Sequence, residues 1–250
     1  MIVLKTSKEL VLMKEACKIS AEALRLAGEM VKPGVATEEI DRLVSKVIKQ
    51  HGATPVFLGY KGFPAATCIS INNEVIHGIP SKKRVIQEGD LVSIDLGASK
   101  NGYVGDNAAT FAAGSICPEA KRLSETTREA LYAGISKAVA GGRVGDISAA
   151  IQDYCETRGY SLVRDYTGHG VGKKLHEDPS VPNFGTAGRG ARLTPGMTLA
   201  IEPMVNQGGY EVNVLGDDWT VVTADGKLSA HFEHTVAITA NGPVILTKED

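Results

Sequence analysis

Long apolar runs are missing from this 250-residue chain. No stretch approaches the roughly 20 apolar residues a membrane-spanning helix needs. The N-terminal MIVLKTSKELVLMKEA lacks the unbroken apolar core of a signal peptide. Basic runs are missing too, and the formal net charge is −2, so nucleic acid is not the expected partner. Cysteine is sparse. Cys17, Cys68, Cys117 and Cys155 are scattered with no C-x-x-C, which reads as reduced thiols in a cytoplasmic protein rather than a disulfide framework. What is present, 43% hydrophobic and 22% charged residues, is ordinary for a globular chain of one large domain or two small ones.

The helical signals come in two sets. Leu10, Met13, Cys17, Ser20, Leu24, Ala27 and Val31 recur at three- and four-residue steps, predicting an amphipathic helix from Ser7 to Val31 stopped by Lys32-Pro33-Gly34. Thr37 is expected to cap a second helix that runs to about His51 and closes at Gly52. His51, beside that glycine, reads as structural. Pro118 to Ala140 then predicts a third helix, ended by Gly141-Gly142. Val144 opens a fourth to about Arg158, closed by Gly159. Matching Val35-Ala36-Thr37 to Val144-Gly145-Asp146 gives a weak internal repeat: one domain of two pseudo-repeated halves, about 1–115 and 116–250.

Between the helix pairs lies Leu91 to Ala112, two strand-like runs joined at Asn101-Gly102, the pair most favoured for a two-residue hairpin. Pairing the strands about that turn sets Asp95 opposite Ala108, one step from Asp106 on the same face. Their backbones would then lie roughly 7 Å apart on the diagonal. Taken alone, the hairpin fits equally a solvated face with two unrelated acids. Elsewhere, Phe57 to Cys68 is an aromatic, Gly/Pro-containing loop that either caps a core or lines an apolar pocket. His77 follows a short strand and precedes Gly78. His169 sits among three glycines in TGHGVG, with His176 seven residues on. Further strand-like runs are Leu162–Tyr166, Thr198–Ile201, Tyr210–Val214, Thr220–Thr223 and Thr235–Ile238. Glu202 ends the run MTLAIEP, and alternation puts Glu233 on one side with His231 and Thr235.

If Asp95, Asp106, His169, Glu202 and Glu233 converge, they carry a charge of about −4, untenable in a partly buried site without cations. Two divalent ions cancel it. Oxygen ligands with one nitrogen suit manganese, iron, cobalt or zinc without choosing among them. A pair of ions bridged by carboxylates acidifies water, so the reaction class is metal-assisted hydrolysis. His77, His176 and Glu202 have the chemistry to move protons or stabilise an oxyanion.

With those residues in view, the chain resembles the type I methionine aminopeptidases, a peptidase family with the creatinase-like "pita-bread" fold. The likeness covers nearly the whole sequence. It rests on NNEVIHGIP, IDLGASKNGYVGDNAATF, YTGHGVGKKLHEDPSVPNF, MTLAIEPMV and HFEHTV, which together match all five metal-ligand positions in order and type. The resemblance implies an α+β, pseudo-twofold fold, a curved antiparallel sheet covered by two pairs of helices. It implies that Asp95 binds one metal, that Asp106 and Glu233 bridge, and that His169 and Glu202 complete the second, with Glu202 also carrying protons. A dinuclear-metal-bound hydroxide would attack the carbonyl after the first residue. His176 would hold that carbonyl oxygen, His77 would contact the leaving amide, and the substrate's free amine would sit on a metal.

The methionine pocket implied is Tyr60, Phe63, Cys68 and Trp219, an aromatic and thiol lining suited to a polarizable thioether. Leu175 stands where relatives often carry an aromatic, and Phe63 where tyrosine is common; both remain apolar. His231 and His234 are expected to be structural or supporting. Asn72, Glu74 and Ser229 match a backbone-carbonyl site for a monovalent cation. The implied partners are N-terminal methionyl peptides and nascent chains with a small second residue, at the ribosome. A cytoplasmic monomer is expected, with no membrane and no required nucleic acid. The spacing from His169 through Glu202 to Glu233 leaves no room for the helical insertion of type II enzymes, and the compact form without a zinc-binding N-terminal extension is expected. Two alternatives stay open. One is an Xaa-Pro aminopeptidase or prolidase-like enzyme, which usually carries a further N-terminal domain. The other is a pita-bread protein that has lost its metals and only binds.

Overall fold

Helix α1 (Ser7–Glu29) starts where the sequence predicts, because Thr6 and Glu9 close a reciprocal capping box. The computed structural model describes residues 1–248. The helix stops two residues before Val31, since Met30 and Val31 turn their amides to the carbonyls three residues back. Helix α2 (Thr37–Gln50) follows. Its start corrects one expectation. Ala36 is the cap, and Glu39 reaches back to the Ala36 amide at 3.1 Å. The buried Thr37 hydroxyl instead ties to Ser81, accepting from its amide at 2.9 Å and donating to its carbonyl at 3.2 Å. Helices α3 (Pro118–Ser136) and α4 (Val144–Glu156) complete the set, α3 ending four residues early through the same tightening at Lys137 and Ala138.

Among the described residues, nine strands form one antiparallel sheet. Its main path runs Thr54–Pro55, Leu91–Lys100, Tyr103–Ala112, Glu233–Thr239, Thr198–Ile201, Gly168–Gly170, Glu177–Val181. Thr67–Ile71 also pairs with Leu91–Lys100, and Gly242–Ile245 with Glu233–Thr239. The central hairpin has the predicted register, Asp95 facing Ala108 and Gly97 facing Asp106. Asn101 and Gly102 turn with φ of 53° and 78°, the left-handed pair that matches strand twist. Two three-stranded sheets flank it. One joins Ser161–Leu162, Met204–Asn206 and Ser229–His231; the other joins Glu74–Ile76, Val221–Thr223 and Val212–Val214. The predicted strand Leu162–Tyr166 is therefore reduced to its first residues. After Val163 bonds the Met204 carbonyl, the chain leaves the sheet and brings Tyr166 to the cavity described below.

Helix α1 lies directly on the hairpin. A Cβ on Gly105 would sit 2.4 Å from the Cys17 Cα, so only glycine allows this approach. Under α1 and α2 the apolar core is built from Ile40, Val44, Ile69, Ile94 and Leu96. Under α3 and α4 it is built from Leu123, Leu131, Ile147, Ile151 and Leu199. The two halves repeat one hydrogen-bond pattern at a constant shift. Gly34 donates to the Ile86 carbonyl as Gly141 does to Leu193. Thr37 donates to Arg84 as Val144 does to Ala191. Ala36 bridges Val85 as Arg143 bridges Arg192. Val144 thus corresponds to Thr37, not to Val35 as the sequence match suggested. Among the described residues no helix is long and apolar enough to cross a membrane.

Candidate active site

The strand pairings bring the acids together. Cys68 and Asp95 face each other, Asp95 faces Ala108, and Ala108 in turn faces Glu233. One row across four strands therefore carries a thiol and two carboxylates, with Asp106 one step along. Glu202 follows Ile201, whose partner is His234, so it emerges beside Glu233. His169 pairs with Ala200 on the next strand. All five predicted ligand residues border one cavity of about 290 Å³.

Atoms of Asp106, His169 and Glu233 lie within 4.8 Å of one another. His169 Nε2 is 3.7 Å from Asp106 Oδ2 and 3.4 Å from Glu202 Oε1. Its Nδ1 is 2.9 Å from the Gly170 carbonyl and donates to it, because a carbonyl can only accept. Nε2 therefore turns a bare lone pair toward acceptor oxygens. Two lone pairs facing each other at this range repel, whereas ligands about 2.0–2.1 Å from one ion stand roughly 3–3.5 Å apart. Asp95 Oδ1, Asp106 Oδ1 and Glu233 Oε1 are buried without a hydrogen-bond partner. In a folded protein such atoms call for an ion or a proton.

The electrostatics agree. Burial pushes the Asp95 carboxyl up to about 8. Burial first, then mutual repulsion, drives Asp106, Glu202 and Glu233 well above the usual carboxylate range. Burial lowers His169 to about 4, keeping its ring neutral and basic enough to ligate. The donor set thus fits divalent cations, which would replace protons the acids otherwise need.

The other predicted residues line the same cavity. Phe63 meets Trp219 edge-on at 5.1 Å between centroids, and His77 lies 6.1 Å from Trp219. Cys68 sits in a strand rather than in the loop that was expected to hold it. Tyr60 bonds His176, whose ring is 4.2 Å from that of His169. Burial lowers His77 to about 4, and burial with the nearby Lys61 charge lowers His176. His77 has φ +60°, and the loop around it is held by Arg84, which donates to the Ile69 and Ile79 carbonyls and pairs with Glu74.

Two residues were missed or undervalued. Tyr166 borders the cavity and faces His77 at 5.7 Å; its place immediately before Thr167-Gly168-His169 was the available signal. His231 points Nε2 at Glu202 Oε2 from 3.7 Å and has no other partner there. His234 alternates to the opposite side of the sheet, against Thr247 and Tyr132. Asn72 and Ser229 do meet, the Ser229 amide donating to the Asn72 carbonyl at 2.8 Å, while the Glu74 carboxylate is engaged by the Ile71 amide and Arg84.

A pseudo-repeated sheet under helix pairs, with four acids and His169 converging on a cavity, has the architecture of a metal-dependent hydrolase. The chain belongs to metallopeptidase family M24, whose profile matches residues 11–240. Over essentially its full length it is similar to methionine aminopeptidases. It is 56% identical to that of Clostridium acetobutylicum, covering 99% of both chains, and 51% identical to methionine aminopeptidase 1 of Bacillus subtilis, covering 99% of this chain and 100% of that one. The crystal structure of the Thermotoga maritima methionine aminopeptidase superposes with a TM-score of 0.98 at 48% identity, each chain wholly covered. The prolidase of Pyrococcus horikoshii shares the fold at a TM-score of 0.79 and 27% identity, but only 65% of that chain is covered. The pita-bread architecture is thereby established for this protein.

Proposed function

We propose that this protein removes the N-terminal methionine from peptides and nascent proteins whose second residue is small. It would do so as one catalytic domain whose halves each supply ligands. The single observation that carries the reading is the convergence of Asp95, Asp106, His169, Glu202 and Glu233 on a cavity walled by Tyr60, Phe63, Cys68 and Trp219. Those five residues would hold two divalent ions, from among cobalt, manganese, iron and zinc. Bound there, such ions supply Lewis acidity and neutralise the acids. Phe63 and Trp219 form the apolar contact for a long unbranched side chain. His176 would donate a hydrogen bond to the carbonyl oxygen as charge builds on it, and His77 would contact the amide on the leaving side. Desolvation at the cavity lowers both rings, which favours the neutral form with an N–H to offer. Glu202, beside the other acids at the cavity, would carry a proton to the leaving amine.

Partners beyond the peptide follow from this role: nascent chains at the ribosome, no required nucleic acid and no membrane. We infer a cytoplasmic monomer, in keeping with four free cysteines, three of them buried. The carbonyls of Asn72, Glu74 and Ser229 are proposed to share a monovalent cation. The deciding experiment supplies the manganese- or cobalt-loaded protein with Met-Ala-Ser and with Xaa-Pro peptides. Release of methionine from the first supports the reading. Cleavage of Xaa-Pro peptides alone would assign the protein to the prolidase-like branch, and no metal-dependent cleavage of either would favour a binding module.

A further inference from the structure

Tyr60 does more than close one wall of the cavity. Its hydroxyl is 2.8 Å from His176 Nδ1, with the rings 5.3 Å apart and tilted by 35°. The segments that carry the two rings are both tied down. The Tyr60 turn is locked by Gly59 donating to the Phe63 carbonyl at 2.8 Å and Phe63 donating back to Tyr60 at 2.9 Å. On the other side Glu177, next to His176, accepts from the buried Lys5 at 2.6 Å and from the Lys174 amide at 3.1 Å. The Tyr60–His176 bond thus joins two segments that are each tied down beside it.

A neutral imidazole carries one proton on either of two nitrogens, and the partner of one nitrogen decides the state of the other. A phenol can donate or accept, so both tautomers are chemically available to the pair. Only one of them leaves an N–H at Nε2, the nitrogen that Tyr60 does not engage. We propose that Tyr60 is a positioning residue: its O–H donates to His176 Nδ1 and so holds the proton on Nε2. The role rests on the reading that His176 donates to the substrate carbonyl oxygen. It assigns Tyr60 a task distinct from lining the methionine pocket, and the two tasks separate kinetically. A pocket wall binds ground state and transition state alike, whereas the tautomer of a donor is felt as charge develops. Phenylalanine keeps the wall and removes the hydroxyl.

The test uses ¹⁵N-histidine-labelled protein, wild type and Tyr60→Phe, with and without zinc. In wild type the His176 nitrogens should show Nδ1 bare and Nε2 protonated; in Tyr60→Phe they should move toward a mixture of tautomers. A wild-type His176 protonated on Nδ1, or a spectrum unchanged by Tyr60→Phe, would overturn the proposal. On Met-Ala-Ser, Tyr60→Phe should lower kcat by about tenfold and leave KM within about twofold. Placed on His176→Ala, Tyr60→Phe should add no further loss, because its effect passes through the missing ring. A raised KM at unchanged kcat, or the same loss in both backgrounds, would make Tyr60 a pocket residue only. Should wild type release no methionine, the substrate reading fails, while the nitrogen spectrum still decides the tautomer.

Discussion

Asp95 and Glu202 are counterparts in the two halves of the fold. Gly89 and Ala113 exchange a pair of bonds through Asp90, as Gly196 and Ile238 do through Met197. Five residues beyond Asp90 and Met197 the two strands deliver Asp95 and Glu202 to the same cavity. One structural position, used twice, thus supplies a carboxylate from each half. The acids crowd together because the halves face one another.

Without metal, stability should fall as pH rises from about 6.5 to 8. Asp95 is raised from 3.8 to about 8 in the folded chain, and burial with mutual repulsion holds Asp106, Glu202 and Glu233 well above the usual carboxylate range too. In that window the folded state holds protons the unfolded state has released, so each such group lowers stability by up to about 1.4 kcal/mol per pH unit. His77 and His169, depressed from 6.5 to about 4, act oppositely but only below 6.5, where they offset the carboxylates. Melting curves of chelated protein should show the fall, and divalent metal should flatten it. A chelated protein that gains stability across this window would contradict the assignment of buried, proton-loaded acids.

Glu233→Gln should stabilise the chelated protein at pH 8 and abolish its stabilisation by metal. The change removes a buried, unpartnered acid while keeping its shape. A gain of about 1 kcal/mol corresponds to roughly 2–4 °C for a chain of this size. Thermal melts with and without manganese check both halves of the expectation.

His77→Ala and His176→Ala should lower kcat/KM about 10²-fold or more, the usual loss when one oxyanion or proton-transfer group is removed. Metal content should stay near wild type, since neither ring belongs to the five-residue cluster. Elemental analysis beside kinetics separates the roles, and equal loss of metal and activity would contradict them. Glu202→Gln, by contrast, should reduce both, because its carboxylate lies 3.4 Å from His169 Nε2 and is proposed to carry the proton as well.

Gly105→Ala should destabilise the fold by about 1–3 kcal/mol through overpacking. The added methyl would meet the α1 backbone at Cys17, which cannot rotate away as a side chain could. Urea unfolding measures the loss, and an unchanged midpoint would show that α1 does not rest on the hairpin as described.

Much of the cavity was legible in the sequence because the hairpin carries its own register. Asn101-Gly102 fixes the turn, and the period of two then places Asp95 and Asp106 without further information. Helix faces were legible for the same reason, as the buried Met13, Cys17 and Leu24 of α1 show. Helix ends were less so. Residues such as Val31 and Ala138 keep the apolar pattern while their amides tighten onto earlier carbonyls. Thr37 has the chemistry of a cap, but its partner Ser81 is far along the chain, and periodicity does not report such pairings. Tyr166 was hidden by the strand-like run before it, whose short length only tertiary pairing reveals.

The most direct measurement is a titration of the chelated protein with manganese or cobalt, reading bound ions per chain and methionine released from Met-Ala-Ser together. Uptake of two ions per chain, with activity rising as they bind and both lost in Asp106→Asn, is the expected result. No stoichiometric uptake by wild type, or activity that ignores the ions, would show that the five side chains do not form a metal centre.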